Sequence, residues 1–135
     1  MNESIRVGII KGLICPYCMR KSSYINSSEV YGRDFGQLYA CLDCKAWVGV
    51  HHQTSRVALG RLANSELRNL KMAAHRHLDP LWKRKTKSGV NEYEARKAAY
   101  AWLSREMGTP LDETHIGMFD EKQCKKVISL CKKYL

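Results

Sequence analysis

The sequence has no apolar run near the ~18 residues a membrane span needs. Val7–Ile10 is cut off by Lys11, and Gly12–Met19 by Arg20. No signal-peptide pattern opens the chain, so a soluble, cytoplasmic protein with no membrane partner is expected. It has no glycine-rich phosphate loop and no Gly-x-Ser-x-Gly, which removes two common enzyme signatures. Asp and Glu number only 13 and are scattered, so a carboxylate-based metal or glycosidic site has little support. There is no internal repeat and no low-complexity tract.

Positive charge and cysteine are abundant. Lys plus Arg number 23 in 135 residues, for a net charge of +10. Such a balance suits polyanionic partners. Residues 1–60 carry 7 basic and 4 acidic side chains, residues 61–105 carry 11 and 4, and residues 106–135 carry 5 and 5. The excess is therefore concentrated mid-chain, where Lys83-Arg84-Lys85-Thr86-Lys87 is its densest run. Six cysteines in a chain expected in the cytosol point to a metal before they point to disulfides.

Two halves are legible. From Ser22 to about Gln53 the signals are strand-like: Tyr24-Ile25, Val30-Tyr31, Leu38-Tyr39, and Trp47-Val48 with Val50. Gly32–Gly36 reads as a hairpin loop. From Asn64 the period becomes helical. A first helix capped by Asn64 or Ser65 puts Leu67, Leu70, Ala74 and Leu78 on one side and is expected to end at Asp79-Pro80. Lys83–Val90 then reads as an exposed linker. A second helix starts at Asn91-Glu92-Tyr93-Glu94 and stops at Gly108, with Ala95, Ala98, Ala99, Trp102, Leu103 and Met107 as its apolar stripe. A third is capped by Asp120 with Gln123 three residues on, and runs through Cys124, Val127, Ile128 and Cys131 to Leu135.

Cys15-Pro16-Tyr17-Cys18 and Cys41-Leu42-Asp43-Cys44 are separated by 22 residues. A C-x2-C pair on a tight turn places two thiolates on one edge of a tetrahedron, ~2.3 Å from a shared Zn²⁺. Two such turns, joined by the intervening hairpin, complete a four-cysteine shell. Four thiolates on Zn²⁺ leave a double negative charge, and Arg20, Lys21 and Lys45 lie beside the turns to offset it. Met19 and Lys45 stand where many zinc knuckles have glycine, which predicts strained turns. All four ligand positions are protein, so no place is left for a metal-bound water and the site is structural. A small segment with few large apolar side chains needs such a metal to fold. Cys124 and Cys131, seven apart on a helix, share a face with Val127 and Ile128 and read as buried, inert thiols.

The histidines open the route to an enzyme. His51, Asn64 and His75 in outline resemble the His-Asn-His arrangement of HNH nucleases. However, ten residues separate Asn64 from His75, and no acidic neighbour precedes the first histidine. His115, in the turn Thr114–Phe119, reads as a packing residue because no nucleophile accompanies it. The basic segment is the other candidate site. Arg61, Arg68, Lys71, Arg76, Lys83, Arg84, Lys85 and Lys87 place eight cations within 27 residues, against Glu66 and Asp79. Clustered cations neutralise phosphates, and Trp82 is a candidate to stack on a base.

Longer strings carry a resemblance: Cys15-Pro16-x-Cys18, Ser28–Gly36, Cys41-x2-Cys44-x-Ala46-Trp47-Val48-Gly49-Val50-His51, Gly60–Asn64, Ala74-His75, Asp79–Trp82, Tyr100–Leu103 and His115–Phe119. Together they resemble a phage and bacterial family described as a zinc-finger-containing domain, to which no activity is assigned. The resemblance covers nearly the whole chain. It implies zinc on Cys15, Cys18, Cys41 and Cys44 and a phage or prophage origin, and it supplies no catalytic role.

The expected architecture is α+β. A small three-stranded antiparallel zinc ribbon (residues 1–60) packs on a C-terminal bundle of three or more helices (61–135), with a basic first helix and linker, as one folding unit. The leading functional expectation is a non-enzymatic accessory or regulatory factor that binds nucleic acid through Arg61–Lys87. An adaptor for an acidic protein surface, using Tyr17, Tyr31 and Phe35, is the second. An HNH-like nuclease is the third.

Overall fold

The computed structural model describes residues 1–52 and 55–134. In chain order it has helix α1 (Glu3–Ile10), strand β1 (Ser23–Asn26), a one-turn helix α2 (Ser28–Tyr31), strands β2 (Gln37–Cys41) and β3 (Ala46–Val48), and helices α3 (Ser65–Lys87), α4 (Glu92–Met107) and α5 (Glu121–Lys132). Short 3₁₀ turns at Leu111–Glu113 and Ile116–Met118 join α4 to α5. This is the α+β class expected. Gln53 and Leu135, the expected ends of the strand-rich stretch and of the last helix, lie outside the described residues. No described helix is long and apolar enough to cross a membrane. The chain divides into two compact units, Met1–Glu66 and Leu67–Leu135.

In the first unit, Asn2 caps α1 by accepting the Ile5 N–H at 3.1 Å. Gly8, Ile9 and Ile10 are buried. Gly12 turns the chain with φ +75°, and a Cβ there would lie 2.7 Å from the Gly60 carbonyl oxygen, so only glycine fits without movement. The three strands form one antiparallel sheet in the order β1-β2-β3. Tyr24 pairs with Tyr39, Ile25 with Leu38, Ala40 with Trp47 and Cys41 with Ala46. The alternation along β2 buries Leu38 and Ala40. Cys15, Ala46 and Leu62 form a buried cluster, with Tyr39, Val48 and the other three cysteines of the knuckles packed on it.

Two expectations fail here. The α1 helix was not foreseen, although Asn2 is a good cap for it. Val30-Tyr31 is not a strand but part of α2, because local side chains outcompete the ladder. Ser27, only 3% exposed, accepts the Phe35 N–H at 2.6 Å and donates to the Arg33 carbonyl. Asn26 accepts the Ser28 N–H and donates to Asp34 at 3.0 Å, folding Gly32–Gly36 back onto the helical turn.

In the second unit, Leu67, Ala74, Leu78 and Trp82 are buried along α3, Ala95, Ala99 and Leu103 along α4, and Cys124, Val127 and Cys131 along α5. Ile116 and Phe119 complete this core. Asn91 caps α4 by accepting the Glu94 N–H at 2.9 Å, and Gly108 ends it in the left-handed region at φ 70°. Asp120 and Gln123 form the expected reciprocal capping box. Thr114, fully buried, shares its hydroxyl with Thr109 and donates to the Pro110 carbonyl.

The expected stop at Asp79-Pro80 and the linker Lys83–Val90 are corrected: α3 runs through Pro80 to Lys87. Proline forfeits one helical hydrogen bond, but burial of Leu78 and Trp82 on either side of it holds the helix together. The Trp82 indole also donates to the Asp79 carboxylate at 3.0 Å, clipping across the proline. The helix stops instead at Gly89 (φ 106°), where the Val90 N–H closes on the Lys85 carbonyl.

Candidate metal centre and basic surface

Each C-x2-C pair sits on a reversal of the chain. The first lies within a narrow loop closed by an Ile14–Lys21 bridge and by the Cys15 N–H on the Arg20 carbonyl at 2.8 Å. The second joins β2 to β3, directly after the Cys41–Ala46 pair. Met19 and Lys45, the residues following each pair, have φ of 66° and 52°. The left-handed turns expected from the sequence are therefore present, on side chains that disfavour them.

The four sulfurs of Cys15, Cys18, Cys41 and Cys44 lie within 4.8 Å of one another. Tetrahedral Zn²⁺ with bonds of ~2.3 Å sets its sulfurs ~3.8 Å apart. The Cys18 and Cys41 sulfurs are 3.7 Å apart, at that spacing, and the donor set is of the size and chemistry such an ion takes. Among the described residues it is the one group of three or more His, Cys, Asp or Glu ligand atoms that converges.

Arg20 ties the two turns together. Its Nε donates to the Cys18 sulfur at 3.4 Å, and Nη1 pairs with Asp43 of the second turn at 3.0 Å. The sequence reading placed Arg20 beside the site as a counter-charge, but the bridge to Asp43 needed the tertiary pairing. The Arg20 backbone N–H, followed by its guanidinium, pulls the Cys18 thiol down to about 6. Loss of hydration and the neighbouring sulfurs lift Cys44 to about 12, and burial also raises Cys15. The Cys18 thiolate is thus ready at neutral pH, while Cys15 and Cys44 must release protons when a metal arrives. Cys124 and Cys131 are fully buried on α5, away from any cluster of ligands, and burial lifts Cys131 to about 11.

The histidine candidates belong to different units, His51 and Asn64 to the first and His75 and His115 to the second. His51 is exposed, its N–H on the Val57 carbonyl at 2.9 Å. The Asn64 N–H donates to the Tyr17 hydroxyl at 3.1 Å. His75 is exposed on α3, its Nδ1 3.9 Å from the Asp79 carboxylate one turn on. His115 is exposed with its ring 5.9 Å from that of Tyr100, rather than packed as expected.

The basic candidates divide by what they touch. Arg61 and Arg68 are half-buried, and the Lys71 ammonium donates to the Gly117 carbonyl at 2.8 Å within the helical unit. Trp82 is 7% exposed and roofed by Arg96, whose guanidinium lies 5.4 Å from its ring, so it is a core residue with only an edge at the surface. Arg76, Lys83, Arg84, Lys85 and Lys87 are exposed. Arg76, Lys83 and Lys87 share one face of α3, spread over about 17 Å at the helical rise. Further cations are exposed on α5, at Lys122, Lys125, Lys126 and Lys132, and just after it at Lys133. Arg84 donates to the Tyr134 carbonyl at 2.7 Å, so the end of α3, with Arg84 and Lys85, adjoins the residues after α5, next to Lys132 and Lys133 in the chain. Helical spacing of the α5 lysines was the available signal; the neutral sum over residues 106–135 concealed it.

No curated protein and no solved structure matches the chain significantly. The profile of the zinc-finger-containing domain family, however, matches residues 11–134, a span that includes both cysteine turns and all of α3, α4 and α5. With four cysteine sulfurs set at zinc-binding separations inside that span, the chain is a zinc-binding protein that belongs to the zinc-finger-containing domain family.

Proposed function

We propose that this protein holds one structural Zn²⁺ on Cys15, Cys18, Cys41 and Cys44 and serves as a non-enzymatic accessory factor that binds nucleic acid. The observation that carries the reading is the row of exposed cations Arg76, Lys83, Arg84, Lys85 and Lys87 on α3, whose Arg84 bonds the Tyr134 carbonyl and so sets the end of that row beside the chain segment carrying Lys132 and Lys133. Closely set cations that are not consumed by internal ion pairs favour a phosphate backbone, where each neutralised phosphate releases counterions. A phage or prophage setting, implied by the family resemblance, is compatible with such a role. The second reading, an adaptor for an acidic protein surface, draws on the same cations and on Tyr31 and Phe35, which are 53% and 65% exposed.

Equilibrium titration against a duplex, a single strand and an RNA hairpin, at about 50 and 200 mM salt with Mg²⁺ present, tests the proposal. Affinity should fall steeply with salt. The Lys83→Ala/Arg84→Ala/Lys85→Ala variant should weaken binding and flatten the salt slope by about 2–3. Absence of binding at low salt overturns the nucleic-acid reading in favour of an acidic protein partner. Mg²⁺-dependent nicking that disappears with His51→Ala or His75→Ala overturns the non-enzymatic part.

A further inference from the structure

A cleft of about 390 Å³ opens in the helical unit between α3, α4 and Tyr134. Its aromatic wall is Trp102, half-buried, and Tyr134, 52% exposed, set edge to face with ring centroids 5.6 Å apart, and buried Trp82 lines it as well. Ala98 and Ala99 of α4 are too small to fill it. Arg84 and Lys85 line its other side, and no acidic residue does. A larger cleft on α4, about 850 Å³, shows the contrast: there Glu92 and Asp112 offset Arg96 and Lys97, so an anion gains little.

We propose that the Trp102–Tyr134 cleft takes one unpaired nucleotide of a single strand, its base on the two rings and its phosphate on Arg84 and Lys85. This deepens the nucleic-acid reading and rests on it. An aromatic ring stacks on any base face, and adjacent cations hold the flanking phosphate. The volume falls in the range of small-ligand sites, roughly 300–1,000 Å³. Arg84 spends one N–H on the Tyr134 carbonyl and keeps others of its fork for the phosphate. That same bond holds Tyr134 beside the cleft. A base inside a duplex is stacked between its neighbours and cannot enter, so the cleft selects single strands.

The test compares a single-stranded oligonucleotide with a duplex of the same length, at one salt concentration, using the full zinc-loaded chain. The single strand should bind tighter and quench tryptophan emission, and Trp102→Phe should reduce the quenching. Tyr134→Ala, a change at an exposed position, should weaken single-strand binding roughly 5- to 150-fold while duplex binding stays within about twofold. Equal affinity for both forms, with Tyr134→Ala silent, overturns the cleft assignment and leaves nucleic-acid binding intact. No binding of either form overturns both. Saturable quenching by a nucleoside monophosphate, with none by the oligonucleotide, reassigns the cleft to a free nucleotide and overturns the strand. Equal competition by poly-glutamate overturns base stacking in favour of an acidic peptide.

Discussion

Stripping the metal should unfold Met1–Glu66 and leave the fold of the helical unit in place. In the first unit, the large aliphatic side chains buried among the described residues are Ile9, Ile10, Leu38, Val50 and Leu62. At roughly 1.5–3 kcal/mol each they contribute roughly 8–15 kcal/mol. A structural zinc site supplies about 10–16 kcal/mol, as much as that whole apolar set. Since total stabilities run at about 5–15 kcal/mol, removing such a term leaves no native state for this unit. The second unit buries Leu67, Leu78, Trp82, Leu103, Ile116, Phe119 and Val127 and contains none of the four metal-ligating cysteines. Amide hydrogen exchange on the full chain, before and after chelation with removal verified by metal analysis, reads both units at once. The amides of β2 and β3 should lose protection while those of α4 and α5 keep it. Persistent protection in β2 and β3 of the verified metal-free protein would refute the argument that the metal supplies the folding free energy.

Three further outcomes follow from particular residues. Because Cys15 and Cys44 are held protonated at neutral pH while Cys18 is already ionised, zinc must displace at least the protons of those two. Its affinity should therefore fall at least about a hundredfold from pH 7.5 to 6.5, each proton giving a factor of about ten; a slope near zero in competition titrations contradicts that assignment. Met19→Gly and Lys45→Gly, at φ 66° and 52°, should each raise stability by about 0.5–1 kcal/mol, since relief of the left-handed strain exceeds the entropy glycine adds to the unfolded chain. Lower melting temperatures in both zinc-loaded variants would count against strain at these turns. Pro80→Ala should stabilise the helical unit by about 1–3 kcal/mol by restoring a helical N–H inside α3. A loss in denaturant midpoint would show that the helix does not continue through that position.

The metal site was legible because its information is short-range. Two C-x2-C turns, a residue in the left-handed region after each, and a segment long enough to return the chain all appear as spacing. The caps at Asn91 and Asp120 and the stop at Gly108 were legible for the same reason: each is a hydrogen bond or a φ angle set within four residues. The reading failed where local preference competed with something else. At Val30-Tyr31 the Ser27 and Asn26 side chains bond the backbone into a turn that β-propensity does not register. At Pro80 a helix-breaking residue was outweighed by the burial of Leu78 and Trp82 around it.

The chain's pattern of residues was sufficient for the class of fold, the four metal ligands, the termini of α4 and the start of α5, and the excess of positive charge. Which tryptophan faces solvent, and which cations become neighbours, was not in that pattern. Trp82 and Trp102 both occupy apolar stripes of their helices, yet Trp82 is buried under Arg96 while Trp102 is half-buried against Tyr134. The lysines at 122–133 lie within a segment of zero net charge, and Lys132 and Lys133 come beside α3 only through the bond between Arg84 and Tyr134. Burial and proximity arise from contacts between residues some 50 positions apart, and free energies of that kind are sums over the folded core rather than properties of any window of sequence.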